Sequence, residues 1–304
     1  MRRSFIALAL LLAACSKPKS TSLSEARRGF ATKLVRREAL AQPPPAPPGD
    51  LFRQVHYPSP AGSMAAYLSV APADGKKHPA IVWITGGDCN SIDEGAWKEY
   101  PPENEQSASA FRKAGIVTMF PALRGGSGNP GVKEAFLGEV DDVLAAADFL
   151  AQQESVDATH LYLGGHSTGG TLALLTAEAS GRFRATFAFG PVSDVTGYGS
   201  ELTPFDTTDA REVELRAPGR WLASARSPVF VIEGARSPGN IGDVRAMRSA
   251  SNNPNLRFLA VEGANHFSIL APTTKLLAAK SLADQGETTS ITITDDEVNR
   301  PFAR

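Results

Sequence analysis

Leu161-Tyr-Leu-Gly-Gly-His-Ser167-Thr-Gly-Gly-Thr-Leu-Ala-Leu-Leu175 is the stretch whose reading decides the fold. An apolar run leads into Gly165-His166-Ser167-Thr168-Gly169, and a second apolar run leads out of it. A serine on a sharp strand-to-helix turn sits in strained backbone, and the positions two away on either side must be glycine to avoid collision. Such a turn holds the hydroxyl clear of the sheet, at the positive end of the helix that follows. The five-residue motif alone is common by chance, so the strand before it and the helix after it carry the weight.

Working outward, the chain alternates from Asp50 onward. Phe52–Tyr57 and Met64–Val70 read as an antiparallel pair around the turn at 59–63. Short apolar runs at 80–85, 115–120, 160–163, 185–190, 228–233 and 256–261 read as buried strands. Between them, helices are expected at 107–113, 168–179, within 239–251 and at 272–282. Phe136, Leu137, Val140, Val143, Leu144, Ala147 and Leu150 recur at three- and four-residue spacing, the mark of an amphipathic helix. This alternation predicts an α/β fold: a mostly parallel, doubly wound sheet with an antiparallel opening. The segment 191–227 breaks the rhythm and reads as a small cap, with Tyr198, Phe205 and Trp221 roofing a pocket.

Composition removes other classes. The chain has 304 residues, 42% hydrophobic and 21% charged, which suits neither a disordered chain nor a polytopic membrane protein. A net charge of −1 argues against a nucleic-acid partner on bulk electrostatics. Cys15 and Cys89 cannot form a disulfide framework or a cysteine-rich zinc site, and no metal or cofactor is expected. Arg124-Gly-Gly-Ser-Gly-Asn-Pro-Gly131 lacks the lysine and hydroxyl of a phosphate loop.

From the turn at Ser167 and the strands around it, the chain resembles the α/β-hydrolase superfamily, in its dienelactone-hydrolase and prolyl-oligopeptidase-like branch, over roughly residues 52–283. The resemblance implies that Ser167 is the nucleophile. A neutral hydroxyl needs a base within reach. His266, in Gly263-Ala-Asn-His266-Phe after the last strand, stands where the family carries its histidine. His166 is tied to the turn and points away from the hydroxyl; His56, His78 and His160 are unassigned. An oxyanion site needs two N–H groups aimed at the developing charge. Thr168 is expected to supply one, and Gly87, or failing it Gly86, the other from Thr85-Gly-Gly-Asp88. Cys89 lies close by, as a buried thiol or a lining residue of the pocket. The Arg124 loop resembles a packing element of the family.

The acid is where the pattern breaks. Relatives carry His-Gly-x-x-Asp after the strand that here reads Pro228-Val-Phe-Val-Ile-Glu233-Gly234, and the count puts Ser237 in the aspartate's place. Glu233 is the first substitute, with Asp194 and Asp243 as alternatives.

The N-terminus reads as an address. Met-Arg-Arg-Ser, an apolar run 5–14 too short to span a bilayer, and Cys15 describe a signal peptide over residues 1–14. Leu12-Ala-Ala-Cys15 resembles the lipobox of bacterial lipoproteins, which implies lipidation of Cys15 and a place in the cell envelope. Ser16 rather than Asp beside it points to the outer membrane. Residues 15–49, basic and ending in Gln42-Pro-Pro-Pro-Ala-Pro-Pro48, read as a tether, with a stem that lies near anionic lipid or is a solvated linker or a short helix packed on the domain. Nine bases against two acids give residues 1–48 a charge of +7, leaving −8 on the rest. The hydrolase domain is expected over 50–284 and a tail over 285–304.

Three functions follow for weighing. The first is a serine hydrolase acting on small carboxylic esters through an acyl-enzyme. The second is a peptidase of the prolyl-oligopeptidase type acting on short peptides. The third, kept open by the missing aspartate, is a catalytically idle lipoprotein that binds a ligand or partner. Oligomeric state is not legible.

Overall fold

A computed structural model describes residues 22–303. The expected signal peptide and the lipidation site Cys15 lie outside the described residues. Eight strands form one sheet: β1 Phe52–Ser59, β2 Gly62–Ser69, β3 His78–Ile84, β4 Val117–Pro121, β5 Val156–His166, β6 Ala185–Phe189, β7 Val229–Gly234 and β8 Leu256–Val261. Their order is β1-β2-β4-β3-β5-β6-β7-β8. β1 pairs antiparallel with β2 and β2 with β4, and every later pairing is parallel. The α-helices are α1 Leu23–Arg27, α2 Ser109–Lys113, α3 Glu139–Ala151, α4 Thr168–Ala179, α5 Ala210–Glu214, α6 Ile241–Ala250, α7 Leu270–Ala283 and α8 Asp295–Asn299. α4 and β8 fall on the residues expected for them from the sequence.

Alternation along the strands builds two cores. In β3, Val82 and Ile84 face the side covered by α3 and α4, where they meet Leu163, Leu172 and Leu175. Ile81 and Trp83 face the other side, with Phe111 of α2, Phe187, and Leu270 and Leu277 of α7. Both faces of the central strands are therefore dry, which is why they read as unbroken apolar runs.

Two glycines let α4 seat directly on the strand ends. A Cβ on Gly165 would lie 2.3 Å from the Gly169 carbonyl oxygen, and one on Gly169 would lie 2.3 Å from that of Ile84. The chain can therefore turn from β5 into α4 within one residue, Ser167, which takes the strain with φ 57° and ψ −116°.

The arm and the tail are found docked on the body, and one expectation, for the cap, is corrected. Residues 22–49 are no free tether. Leu23 and Ala26 are buried on the core, the Val35 and Arg36 N–H groups donate to the Pro204 carbonyl, and Leu40 exchanges backbone bonds with Gly125 and Gly128. Glu212 accepts from Thr32 Oγ1 (2.9 Å) and Lys33 N (2.7 Å), and Arg27 pairs with Asp141 (2.9 Å). Backbone hydrogen bonds, buried apolar side chains and one ion pair, Arg27–Asp141, hold the arm on the body. The tail is likewise part of the fold: Ile291, Ile293 and Val298 enter the second core, and a capping box at Thr294 and Glu297 starts α8. In the cap, Phe205 and Trp221 do not roof a pocket. Phe205 lies under the Arg216 guanidinium, 4.1 Å from ring centre to Cζ, and Trp221 Nε1 donates to the Glu214 carbonyl, so both form the cap's own interior.

Candidate active site

The parallel strands end on a common edge, and the site assembles there. A cleft of about 690 Å³ is lined by Gly86, Gly87, His166, Ser167, His266 and Phe267, with Leu40 of the N-terminal arm at its border. Ser167 arrives from the β5–α4 turn and His266 from the loop between β8 and α7, separated by 99 residues in sequence. The Ser167 N–H donates to the Phe189 carbonyl (2.8 Å), which ties the turn to the end of β6.

Glu233, the penultimate residue of β7, is fully buried, and its carboxylate receives His266 Nδ1 at 3.0 and 3.2 Å. A buried carboxylate needs partners, and this one has a second in the Asn240 N–H (2.9 Å). The Pro238 carbonyl accepts the His266 N–H (3.1 Å), so the loop that follows β7 also fixes the histidine backbone. Two glycines leave room for the long side chain. A Cβ on Gly239 would stand 2.2 Å from Glu233 Oε1, and one on Gly190 would stand 2.6 Å from Oε2 and 2.4 Å from His266 Cε1. Gly190 also has φ +55°, and its carbonyl takes the Asn240 side-chain amide (2.8 Å).

The alternatives for the acid are engaged elsewhere. Asp194 accepts from Thr196 N (2.9 Å) and Oγ1 (2.8 Å), capping the short turn at 195–198. Asp243 accepts the Ser193 N–H (2.9 Å) and its hydroxyl, pinning the start of the cap. Ser237 precedes Pro238 in the 235–240 loop.

His166 braces His266. Its Nε2 donates to the His266 carbonyl (2.9 Å), its Nδ1 faces the Gln106 side-chain amide (3.1 Å), and the two imidazoles lie 4.4 Å apart. Burial, helped by the neighbouring His266, pulls its pKa down to about 3, so the ring stays neutral and keeps its donor on the His266 carbonyl. This brace is absent from the sequence reading, which saw only that His166 must point away from the Ser167 hydroxyl.

Gly87 has φ +73° and open space where a side chain would be. The Thr168 hydroxyl donates to the Gly87 carbonyl (2.9 Å), joining this loop to the N-terminus of α4. As the first residue of α4, Thr168 has an N–H with no partner one turn back in the helix. Gly86 instead packs on the turn, where a Cβ would meet His166 Nδ1 at 3.0 Å and Ser167 Cβ at 3.3 Å. Cys89 is buried beside Gly87, and burial pushes its thiol pKa up, so it is not an activated thiolate. Arg124 forms a buried pair with Asp142 (2.8 Å) and a second with Glu134 (2.8 Å), the packing element expected of its loop. No group of three or more metal-ligating side chains occurs among the described residues.

Residues 103–225 match the family model of peptidase S9, the prolyl oligopeptidase family. That stretch holds Ser167 and stops before Glu233 and His266. A curated relative, the uncharacterized peptidase YtmA of Bacillus subtilis, is 33% identical over 144 residues, 41% of this chain and 54% of the relative. The chain thus spans about half the length of that relative. Among solved structures, a prolyl endopeptidase overlays with a TM-score of 0.58 at 19% identity, covering 75% of this chain and 38% of that one. A Pyrobaculum calidifontis esterase overlays with a TM-score of 0.54 at 16% identity, covering 86% and 88%. The chain has the α/β-hydrolase fold, and the segment that matches the prolyl oligopeptidase family carries the turn at Ser167.

Proposed function

We propose that this protein is a serine hydrolase that cleaves carboxylic esters through an acyl-enzyme. One observation carries the reading: a buried carboxylate, Glu233, holds His266 Nδ1 at 3.0 Å on the wall of the cleft that also contains Ser167. In this mechanism Ser167 Oγ attacks the ester carbonyl carbon while His266 Nε2 takes its proton. The oxyanion is held by the Gly87 and Thr168 N–H groups. Collapse breaks the bond to the alkoxide, which leaves as the alcohol with the proton from His266. Water then attacks the acyl-Ser167 ester, again giving its proton to His266, and the acid departs with Ser167 restored. Glu233 keeps the Nδ1 proton in place and stabilises the imidazolium that forms at each transfer. The reaction needs no cofactor or metal.

With Glu233 on His266, the idle-scaffold reading loses the argument from the missing aspartate. Peptide cleavage is the second reading, favoured by the family segment at 103–225 and by the peptidase relative. A fluorophosphonate probe tests the chemistry: labelling of the wild type that is lost in Ser167→Ala and weakened in His266→Ala is expected. Labelling that does not depend on Ser167 ends the reading. Faster turnover of peptide anilides than of p-nitrophenyl esters selects the peptidase.

Cys15 is proposed as the lipidated residue of an envelope protein, more fitted to the outer than the inner membrane. Six residues separate it from Ser22, a reach of about 25 Å at full extension, so a lipid anchor there would hold the body close to the bilayer. Palmitate labelling that survives Cys15→Ser overturns the anchor.

A further inference from the structure

The glycine-rich stretch 124–131 takes no part in the chemistry proposed above, yet it grips the loop that carries the Gly87 N–H. That loop, residues 85–91, is held at both ends. At its start Gly86 packs on the turn at Ser167. At its far end stands Asn90, which is buried. The Asn90 carbonyl accepts the Leu123 N–H (2.8 Å), and a Cβ on Gly126 would lie 2.0 Å from that same oxygen. Glycine at 126 is what lets the two backbones close on each other.

The Asn90 side chain reaches further. Its Nδ2 donates to the Arg124 carbonyl (2.8 Å) and to Glu139 Oε1 (3.1 Å), and its Oδ1 accepts from the Cys89 thiol (3.7 Å). Both amide protons are thereby used. Glu139 is the first residue of α3 and fully buried; its Oε1 also accepts the Glu134 N–H (2.7 Å), while Oε2 has no partner among the described residues. A buried carboxyl with so few partners holds those it has, because parting from one leaves it desolvated and unpaired. Arg124 is in turn locked to α3 by its pair with Asp142 (2.8 Å), so both acceptors of the Asn90 amide belong to one rigid body. The Thr168 hydroxyl fixes the Gly87 carbonyl, which belongs to the next peptide. The peptide that carries the Gly87 N–H has no side chain to orient it and takes its direction from the two anchored ends.

We propose that Asn90 is a positioning residue of the oxyanion site: its side-chain amide, clamped between the Arg124 carbonyl and Glu139, fixes the direction of the Gly87 N–H. The proposal rests on the serine-hydrolase reading, which gives that N–H its task. Neither Asn90 nor Glu139 lines the cleft, so the effect falls on the transition state and not on substrate binding.

The experiment reads turnover of a p-nitrophenyl ester by the full protein, beside the binding of a trifluoromethyl ketone and of the corresponding secondary alcohol. Ser167 Oγ adds to the ketone carbon, its proton passes to His266, and the carbonyl oxygen becomes an alkoxide that needs the oxyanion site. The alcohol occupies the cleft without forming that bond. Asn90→Ala is expected to lower kcat by about 10², with KM within about threefold of the wild type. The ketone should weaken by the same factor while the alcohol keeps its affinity. Glu139→Leu, of similar volume, is expected to lose at least tenfold in kcat and in ketone affinity. Glu139→Gln, whose amide oxygen still accepts from Asn90, restores both to within threefold of the wild type. Ser167-dependent fluorophosphonate labelling persists in every variant. Asn90→Ala with kcat within threefold of the wild type overturns the assignment and leaves the hydrolase standing, as does a loss shared equally by ketone and alcohol. If Asn90→Ala does not fold, Glu139→Leu beside Glu139→Gln decides by the same readings. Absence of Ser167-dependent labelling in the wild type overturns the hydrolase reading and this one with it.

Discussion

Replacing Glu233 tests the contact on which the proposed chemistry turns. The carboxylate faces His266 Nδ1 through both oxygens, and the Asn240 N–H fixes Oε1. In Glu233→Gln the amide oxygen stays on Asn240 and still accepts the Nδ1 proton, so tautomer and orientation survive while the charge is lost. Two opposite unit charges about 4 Å apart at an effective dielectric of about 20 interact by about 4 kcal/mol. That energy stabilises the imidazolium only in the transition state, and converts to about 10³ in kcat. In the serine-protease template the amide replacement of the acid alone costs about 10⁴, so Glu233→Ala, which loses charge, hydrogen bond and orientation together, is expected to lose at least as much as Glu233→Gln. KM stays within a few-fold in both variants, since Glu233 does not line the cleft. The assay is kcat for a short-chain p-nitrophenyl ester at saturation, with circular dichroism to confirm the fold. A Glu233→Gln enzyme within threefold of wild type, beside an Asp194→Asn or Asp243→Asn enzyme that has lost 10³, refutes the assignment.

Gly239→Ala forces a methyl against Glu233 Oε1, and the expected outcome is a loss of at least 100-fold in kcat with the fold retained, read in the same ester assay. Glu178 in α4 is buried with neither carboxylate oxygen partnered among the described residues, and burial holds its pKa well above the usual range. From about pH 4.5 upward the unfolded chain gives up this proton while the folded one keeps it, so stability falls by about 1.4 kcal/mol per pH unit until the folded pKa is reached. Chemical denaturation of Glu178→Gln should show a gain over wild type that is larger at pH 8 than at pH 5. Leu23→Ala in the arm removes a fully buried side chain and should cost about 2–4 kcal/mol in urea melts, whereas a free tether would show no change.

The strands, α4 and the turn at Ser167 were legible because each rests on neighbours within a dozen residues: apolar alternation, and glycines on either side of one serine. His266 was legible through its place after the last strand. Glu233 stood first among the substitutes as the carboxylate nearest the aspartate's expected place. What singles it out over Asp194 and Asp243 is not local. The space for its carboxylate is made by Gly190, 43 residues earlier in the chain, and by Gly239 in the next loop, and no pattern along the sequence joins the three.

The docking of the arm and the tail was not legible for a related reason. Residues 22–41 carry five bases against two acids and read as a basic stem, yet they are held by backbone bonds to Pro204, Gly125 and Gly128 and by Glu212 of the cap. The opposite signs of residues 1–48 (+7) and the remaining chain (−8) were visible in the sequence, but composition does not say which surface the charge will meet. Once docked, the arm has a consequence for the site. Leu40 lines the cleft that contains Ser167, so a segment outside the sheet forms part of the wall around Ser167. Selection of what enters therefore falls partly on residues that come before β1, and a chain cut back to residue 50 should retain the Ser167 turn while losing one side of its pocket.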